Sequence, residues 1–283
     1  MRLVTTAREI GRLAAERPAG KRVGFVPTMG ALHEGHLALM RRARAECDEV
    51  VVSIYVNPLQ FGPREDLAAY PRDLERDAAL CRSVDVTTLF APADGEVHPP
   101  GHRTWVEVEG LQDTLCGRSR PGHFRGVATV VAKLFELVRP QAAYFGEKDA
   151  QQLRIILRMT RDLHLGVEIV GCSTVREADG LAMSSRNAYL TPEERRAAPV
   201  LHRALAAAAE AVGAGETDAA RLVARVQSTI VAEPLARIDY VDAVDDETLE
   251  SVTRVDRPAL LAVAVWFGKA RLIDNVVLQP SGR

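Results

Sequence analysis

Through roughly the first 170 residues, short apolar runs alternate with stretches of helical periodicity. The runs at 22–26, 49–56, 85–90, 142–145 and 167–170 have the length and residue types of buried strands. Between them, Leu37, Met40, Ala43 and Cys47 recur at the spacing of one helix face. So do Val127, Val130, Val131, Leu134, Phe135 and Val138, followed by Leu153, Ile156, Leu157 and Thr160. This alternation admits few folds. It predicts an α/β fold: a parallel sheet with right-handed crossovers and helices on both faces, and ligands gathering beyond the carboxyl ends of the strands.

After about Ser173 the texture changes. Thr191-Pro192-Glu193-Glu194 is a helix start, with a capping threonine, proline in the first turn and acids against the dipole. An alanine-rich helix is expected from there to Gly213, and a second over 218–232. Strands are expected at 238–244, 260–267 and 271–276, the last two joined by a tight turn at Gly268-Lys269-Ala270. The chain therefore divides into a parallel-sheet domain over residues 1–173 and a smaller α+β domain over 174–283.

The first strand leads into Pro27-Thr28-Met29-Gly30-Ala31-Leu32-His33-Glu34-Gly35-His36, a glycine-bearing turn with a helix opening near Gly35. Free N–H groups and the helix dipole at such a point favour a bound phosphate. Imidazole donates to phosphate oxygens without bringing a fixed charge, and Gly35 lets the backbone come close. The spacing matches the H-x-G-H pattern of the nucleotidyltransferase superfamily and differs from the zinc-protease helix, whose histidines stand four apart. A pair of histidines with only local hydrogen bonds is the plainer alternative.

Three further segments carry polar groups at strand ends or in loops. Phe145-Gly146-Glu147-Lys148-Asp149 places a lysine where a phosphate would lie, although Asp149 and Gln152 also suit a capping box. Met183-Ser184-Ser185-Arg186-Asn187 offers two hydroxyls and a guanidinium to a polyphosphate, or a simple helix cap. Asn57-Pro58-Leu59-Gln60-Phe61-Gly62 puts the amide of Gln60 at the sheet's carboxyl edge. The segment from Asp66 to Asp73 reads as a lid whose acids, with Asp77, either help place a metal or are solvated. The loop from Arg118 to Gly126 reads as a cationic surface, a steering element or a subunit contact.

Charge excludes one partner class. The net charge is −2, so no basic excess points to nucleic acid. The four cysteines are scattered, without a C-x-x-C pair, which suits a reducing cytoplasm. No stretch approaches the roughly 18 apolar residues of a membrane helix.

In their order along the chain, the segments resemble the pantothenate synthetase family, AMP-forming acid–amine ligases. The resemblance extends to Tyr70-Pro71-Arg72, Val175 and Ala270-Arg271-Leu272-Ile273-Asp274-Asn275. It implies a Rossmann-like amino-terminal domain, a smaller carboxyl-terminal domain closing over it, a homodimer, and ATP with Mg²⁺. The implied reaction condenses pantoate with β-alanine through a pantoyl adenylate, releasing pyrophosphate and then AMP. By the same resemblance Met29, Gly30, Ala31, Leu32, His33, Glu34, Gly35 and His36 wrap ATP, with His36 as proton donor. Gly146, Glu147, Lys148, Asp149, Val175, Met183, Ser184, Ser185 and Arg186 complete the nucleotide site. His33, His36, Lys148, Ser184, Ser185 and Arg186 are the catalytic candidates; Gln60 and Gln152 hold pantoate. The metal ligands are unassigned. Asp73 stands where the family pattern has threonine, and Cys116-Gly117 where it often has an acid.

The competing readings are a nucleotidyltransferase that leaves a dinucleotide product, a non-catalytic nucleotide-binding protein, and a His33/His36 metal centre.

Overall fold

The alternating apolar runs form a parallel sheet. The structure is a computed structural model describing residues 1–63, 65 and 67–280. In chain order the elements are β1 (Arg2–Val4), α1 (Ala7–Ala15), β2 (Val23–Thr28), α2 (Glu34–Glu46), β3 (Glu49–Ile54), α3 (Leu74–Ser83) and β4 (Thr88–Phe90). There follow α4 (Asp94–Val97), α5 (Leu115–Ser119), α6 (His123–Val138), β5 (Ala142–Gly146), α7 (Ala150–Asp162) and β6 (Glu168–Cys172). The last are α8 (Pro192–Ala197), α9 (Val200–Gly213), α10 (Ala219–Val231), β7 (Ala236–Asp245), β8 (Ala259–Phe267) and β9 (Ala270–Leu278).

Two compact units result. The first comprises Met1–Gln112, Arg120–Glu147 and Gln152–Ser173; the second gathers Asp113–Ser119 and Lys148–Gln151 with everything from Thr174 onward. The two short early segments thus group with the chain beyond Ser173.

In the first unit the strand order is β1-β4-β3-β2-β5-β6, every pair parallel. The chain steps outward from β2 through β3 to β4, then returns to lay β5 on β2's other side. β2 and β5 therefore flank the point where strand order reverses, the place where open parallel sheets bind ligands. The core packs Val26, Leu32, Met40, Val50, Val52, Leu89 and Tyr144, all fully buried. Each such aliphatic side chain contributes about 1.5–3 kcal/mol on burial.

The expected strand break at Pro27 does not occur: β2 continues to Thr28, with Pro27 opposite Ser53 of β3. Pairing with β5 involves only Gly24 and Phe25, so Pro27 has no ladder partner on that side and its missing N–H breaks nothing. Leu157, expected on the buried face of α7, is 44% exposed. The elements β1, α1 and α3 carry no expectation from sequence periodicity. α1 is set by Thr6, whose hydroxyl accepts from Glu9 N–H, and α3 by Asp73, whose carboxylate accepts from Arg76 N–H at 3.0 Å.

In the second unit, β7, β8 and β9 form an antiparallel sheet in that order. Gly268, at φ +52°, and Lys269 close the β8–β9 hairpin. α9 and α10 contribute Leu201, Leu205, Leu222 and Ile230 to a core shared with Leu261, Val263 and Phe267. The single helix expected up to Gly213 is two. α8 ends at Ala197 and α9 begins after Pro199, whose ring cannot continue the preceding turn.

Candidate active site

The turn after β2 is built by two consecutive residues in the left-handed region, Gly30 at φ +79° and Ala31 at φ +51°. Such a pair turns the backbone N–H groups of Ala31 and Leu32 the same way, and the carboxylate of Asp77 receives both. Ala31 N–H donates to Oδ2 at 2.8 Å and Leu32 N–H to Oδ1 at 2.9 Å. Asp77 comes from α3 and is 1% exposed. Arg76 reaches back from the same helix to the Leu32 carbonyl at 3.1 Å. A buried carboxylate gripping two amides from a distant helix fixes a loop that glycine alone would leave loose.

α2 then begins on a cap made by two imidazoles. Nδ1 of His33 accepts from Gly35 N–H at 3.2 Å, and Nδ1 of His36 accepts from His33 N–H at 3.3 Å. The rings lie 4.1 Å apart. Acceptance at Nδ1 places the proton of each neutral ring on Nε2. The local hydrogen bonds of the plainer alternative are present, and they determine which nitrogen donates. Glu34 is exposed and ion-paired with Arg41 seven residues on, and the Arg41 hydrogen bond holds its carboxyl below the usual range.

Gln60 lies in a short 3₁₀ turn, Pro58–Gln60, and its amide Nε2 sits 3.2 Å from Met29 Sδ. Of the sequence-derived candidates, the first unit therefore brings Gln60 onto the turn of Met29 to His36. The backbone of this 3₁₀ turn is held tightly. His123 Nδ1–H donates to the Gln60 carbonyl at 2.7 Å, and Arg120 Nη2 adds a longer bond at 3.3 Å. Arg120 also grips Glu65 with two bonds of 2.6 and 2.7 Å. Burial alone would raise the Glu65 carboxyl, but Arg120 outweighs it and the carboxyl is held low. The segment read as a cationic surface is a set of ion pairs, with Arg118 on Asp242 and Arg125 on Glu107. Asp66, read with the lid, lies outside the described residues.

Gly146 ends β5 opposite Cys172, and Glu147–Asp149 form a 3₁₀ turn into α7. Gln152 is half-buried in the first turn of α7, and Glu147 and Asp149 are exposed.

In the second unit the structure brings Lys148 together with the 175–187 loop. Lys148 and Ser184 line one small cavity with Asn187 and Asp274. Asn275 Nδ2 donates to the Lys148 carbonyl at 2.9 Å, and Lys148 Nζ stands 3.6 Å from Asp149. Met183 N–H donates to the Val175 carbonyl at 3.0 Å, closing a narrow loop. Its base is pinned by Arg176, which holds the buried carboxylate of Asp274 through two bonds of 2.6 and 2.9 Å. Ser184 Oγ accepts from Arg186 N–H at 3.2 Å and caps the 3₁₀ turn Ser185–Tyr189; Ser185 and Arg186 are half-buried.

Sequence reasoning undervalued Asp77, weighing it as a metal helper or a solvated charge. Its signal was positional: a carboxylate on the same helix face as Ala78 and Cys81, where burial demands fixed donors. Among the described residues no three His, Cys, Asp or Glu groups cluster as a metal site. Two of the residues expected to depart from the family pattern have local partners. Asp73 caps α3 as a threonine would. Cys116 packs with Tyr240 OH at 3.2 Å and receives Arg271 Nη1 at 3.4 Å.

Residues 2–277 match the profile of the family described as pantoate-beta-alanine ligase. The chain is 59% identical over 280 residues to the pantothenate synthetase of Heliobacterium modesticaldum, covering 99% of this chain and 100% of that one. It is similar to the crystal structure of pantothenate synthetase from Thermus thermophilus, with TM-score 0.94, 53% identity, and coverage of 99% and 100%. A Francisella tularensis pantoate-beta-alanine ligase, solved in complex with beta-gamma ATP and beta-alanine, superposes with TM-score 0.81 at 33% identity, covering 98% and 97%.

Proposed function

The chain belongs to the pantoate-beta-alanine ligase family, and on that premise we propose how its own residues divide the work of the reaction. The enzyme condenses pantoate with β-alanine at the expense of ATP. A pantoate carboxylate oxygen attacks the α-phosphorus, and the bond to the bridging oxygen breaks to release pyrophosphate. The neutral amine of β-alanine then attacks the acyl carbon of the pantoyl adenylate. The acyl–oxygen bond breaks, AMP leaves, and the amide nitrogen loses its proton.

The observation that carries the site assignment is the clamped turn with its two oriented imidazoles. His33 and His36 offer Nε2–H to phosphate oxygens at a helix N-terminus, with no net charge until a proton is needed. His36, the proton donor by the family resemblance, gives its Nε2–H as a hydrogen bond to the departing phosphate. The other residues of the turn from Met29 to His36 wrap the nucleotide. Gln60 and Gln152 hold pantoate. Lys148 and Arg186 balance charge on the pyrophosphate, aided by the hydroxyls of Ser184 and Ser185. Gly146, Glu147, Asp149, Val175 and Met183 complete the nucleotide's surroundings.

Mg²⁺ enters as Mg²⁺-ATP. That assignment suits a site in which Asp77 is committed to two amides, and Mg²⁺ is commonly carried by substrate phosphates. The enzyme works as a cytoplasmic homodimer, a reading supported by the family resemblance and by the scattered cysteines. Solution mass tests the dimer.

The reaction is tested by mixing purified protein with Mg²⁺-ATP and pantoate, with and without β-alanine. AMP and pantothenate forming only when β-alanine is present is the expected result. A nucleotidyl group retained in the product would instead identify a nucleotidyltransferase.

A further inference from the structure

Asn57 is 1% exposed and lies between Gln60 and His98. Its amide orientation is set by two backbone groups of fixed polarity. Oδ1 accepts from Leu59 N–H at 3.3 Å, and Nδ2 donates to the Gly126 carbonyl at 3.1 Å. Flipping the amide would oppose donor to donor and acceptor to acceptor. The remaining contacts of Asn57 then have only one polarity. Nδ2 donates to Gln60 Oε1 at 3.0 Å, and the His98 Nε2 found 3.1 Å from Oδ1 carries the ring proton.

With its oxygen held by Asn57, Gln60 turns its NH₂ toward Met29 Sδ, 3.2 Å away. A thioether is a weak acceptor, so this N–H is poised for a carboxylate or hydroxyl oxygen. We propose that His98 is a positioning residue for the acid substrate, acting through Asn57 to hold the Gln60 amide with its NH₂ facing that substrate. The proposal rests on the reading of Gln60 as a pantoate contact.

The surroundings of His98 suit this role. Its ring packs 5.9 Å from that of Tyr55 and 5.1 Å from that of His102, and the Tyr55 hydroxyl is itself anchored on Asp94. Nδ1 is buried with no hydrogen-bond partner, as expected of an imidazole whose proton sits on Nε2. Burial, then Lys133 and His102, disfavour a second proton. The ring is therefore a neutral, one-sided donor aimed at Asn57.

The test is steady-state kinetics on His98→Leu, His98→Asn and His98→Gln, each also made in a Gln60→Ala background. Leucine has no donor, and asparagine is too short to reach Asn57; glutamine can put an amide N–H where Nε2 stood. Losing one positioning hydrogen bond should raise KM for pantoate about five- to tenfold in His98→Leu, with KM for ATP and Tm little changed. His98→Asn carries the same expectation and serves if leucine disturbs folding. His98→Gln should restore KM for pantoate, and in the Gln60→Ala background the His98 variants should add nothing.

Two results would overturn the relay while leaving Gln60 in place. One is an unchanged KM for pantoate in both His98→Leu and His98→Asn when Gln60→Ala raises it; the other is full additivity with Gln60→Ala. Should Gln60→Ala itself leave KM for pantoate unchanged, the assignment of Gln60 falls, and the relay with it.

Discussion

Asp77 Oδ2 lies 2.9 Å from the position a β-carbon on Gly30 would occupy. The glycine and the carboxylate are therefore one device: Gly30 is small and left-handed so that Asp77 can reach the amides behind it. An alternative side chain at residue 30 would meet both a strained φ and the clamp itself.

Replacing Asp77 by asparagine keeps the shape but turns an NH₂ toward an amide N–H. The expected loss is about 1–3 kcal/mol of stability from one unsatisfied buried donor. A rise in KM for ATP should accompany it, because the turn that carries His33 and His36 is no longer held in place. Thermal melts and ATP titration of initial rates measure the two effects. An unchanged KM for ATP in Asp77→Asn would dissociate the clamp from nucleotide binding.

Histidine at position 33 caps α2 and is the proposed donor to phosphate, and His33→Asn separates the two roles. Asparagine is among the best capping residues, so α2 should keep its N-terminus and the melting temperature should hold. Turnover should still fall by about 100-fold or more, since the imidazole donor is gone. His33→Ala should lose both, with about 0.5–2 kcal/mol of stability. Equal melting temperatures for the alanine and asparagine variants would show that the cap is not stabilising.

Gly126 lies where α6 meets the 3₁₀ turn bearing Gln60, and a β-carbon there would fall 2.3 Å from the Leu59 carbonyl oxygen. Backbone cannot yield as a flexible side chain does. Gly126→Ala should cost about 1–3 kcal/mol, as overpacking does, and raise KM for pantoate by displacing Gln60. Urea unfolding and pantoate titration give the two numbers. Wild-type values in both would mean that the two segments move apart without consequence.

Acid should weaken the fold partly through His98. Burial, then the Lys133 and His102 charges, push its pKa down from 6.5 to about 4, with Asp94 opposing. Between those values the unfolded ring binds a proton that the folded ring refuses. The stability tied to His98 is complete above about pH 6.5 and is lost as pH falls through 4. Subtracting the pH dependence of Tm in His98→Gln from that of the wild type isolates this contribution from the carboxylates. A flat difference curve would contradict it.

The sheet and its helices were legible because burial is written in periodicity. Val127, Val130, Val131, Leu134, Phe135 and Val138 lie on one buried stripe of α6, and Leu37, Met40 and Ala43 on the buried face of α2. Pro27 and Pro199 misled in opposite directions. Pro27 was read as a strand end, although a half-paired strand tolerates it; Pro199 was read through, although a helix interior does not. The turn from Met29 to His36 was legible as a local motif. What holds it was not, because Asp77 is 46 residues beyond Ala31 and nothing local ties the two. The His98–Asn57–Gln60 line was hidden for the same reason, spanning 41 residues between its first two members.

That separation sets an order of events during synthesis. A nascent chain that has released residues 27–36 but not Leu74–Ser83 holds the proposed nucleotide motif without the carboxylate that shapes it. The motif cannot be competent as a peptide or an early fragment. The turn takes its clamped shape only once α3 has docked, so its most recognisable signature is finished by a helix made after it.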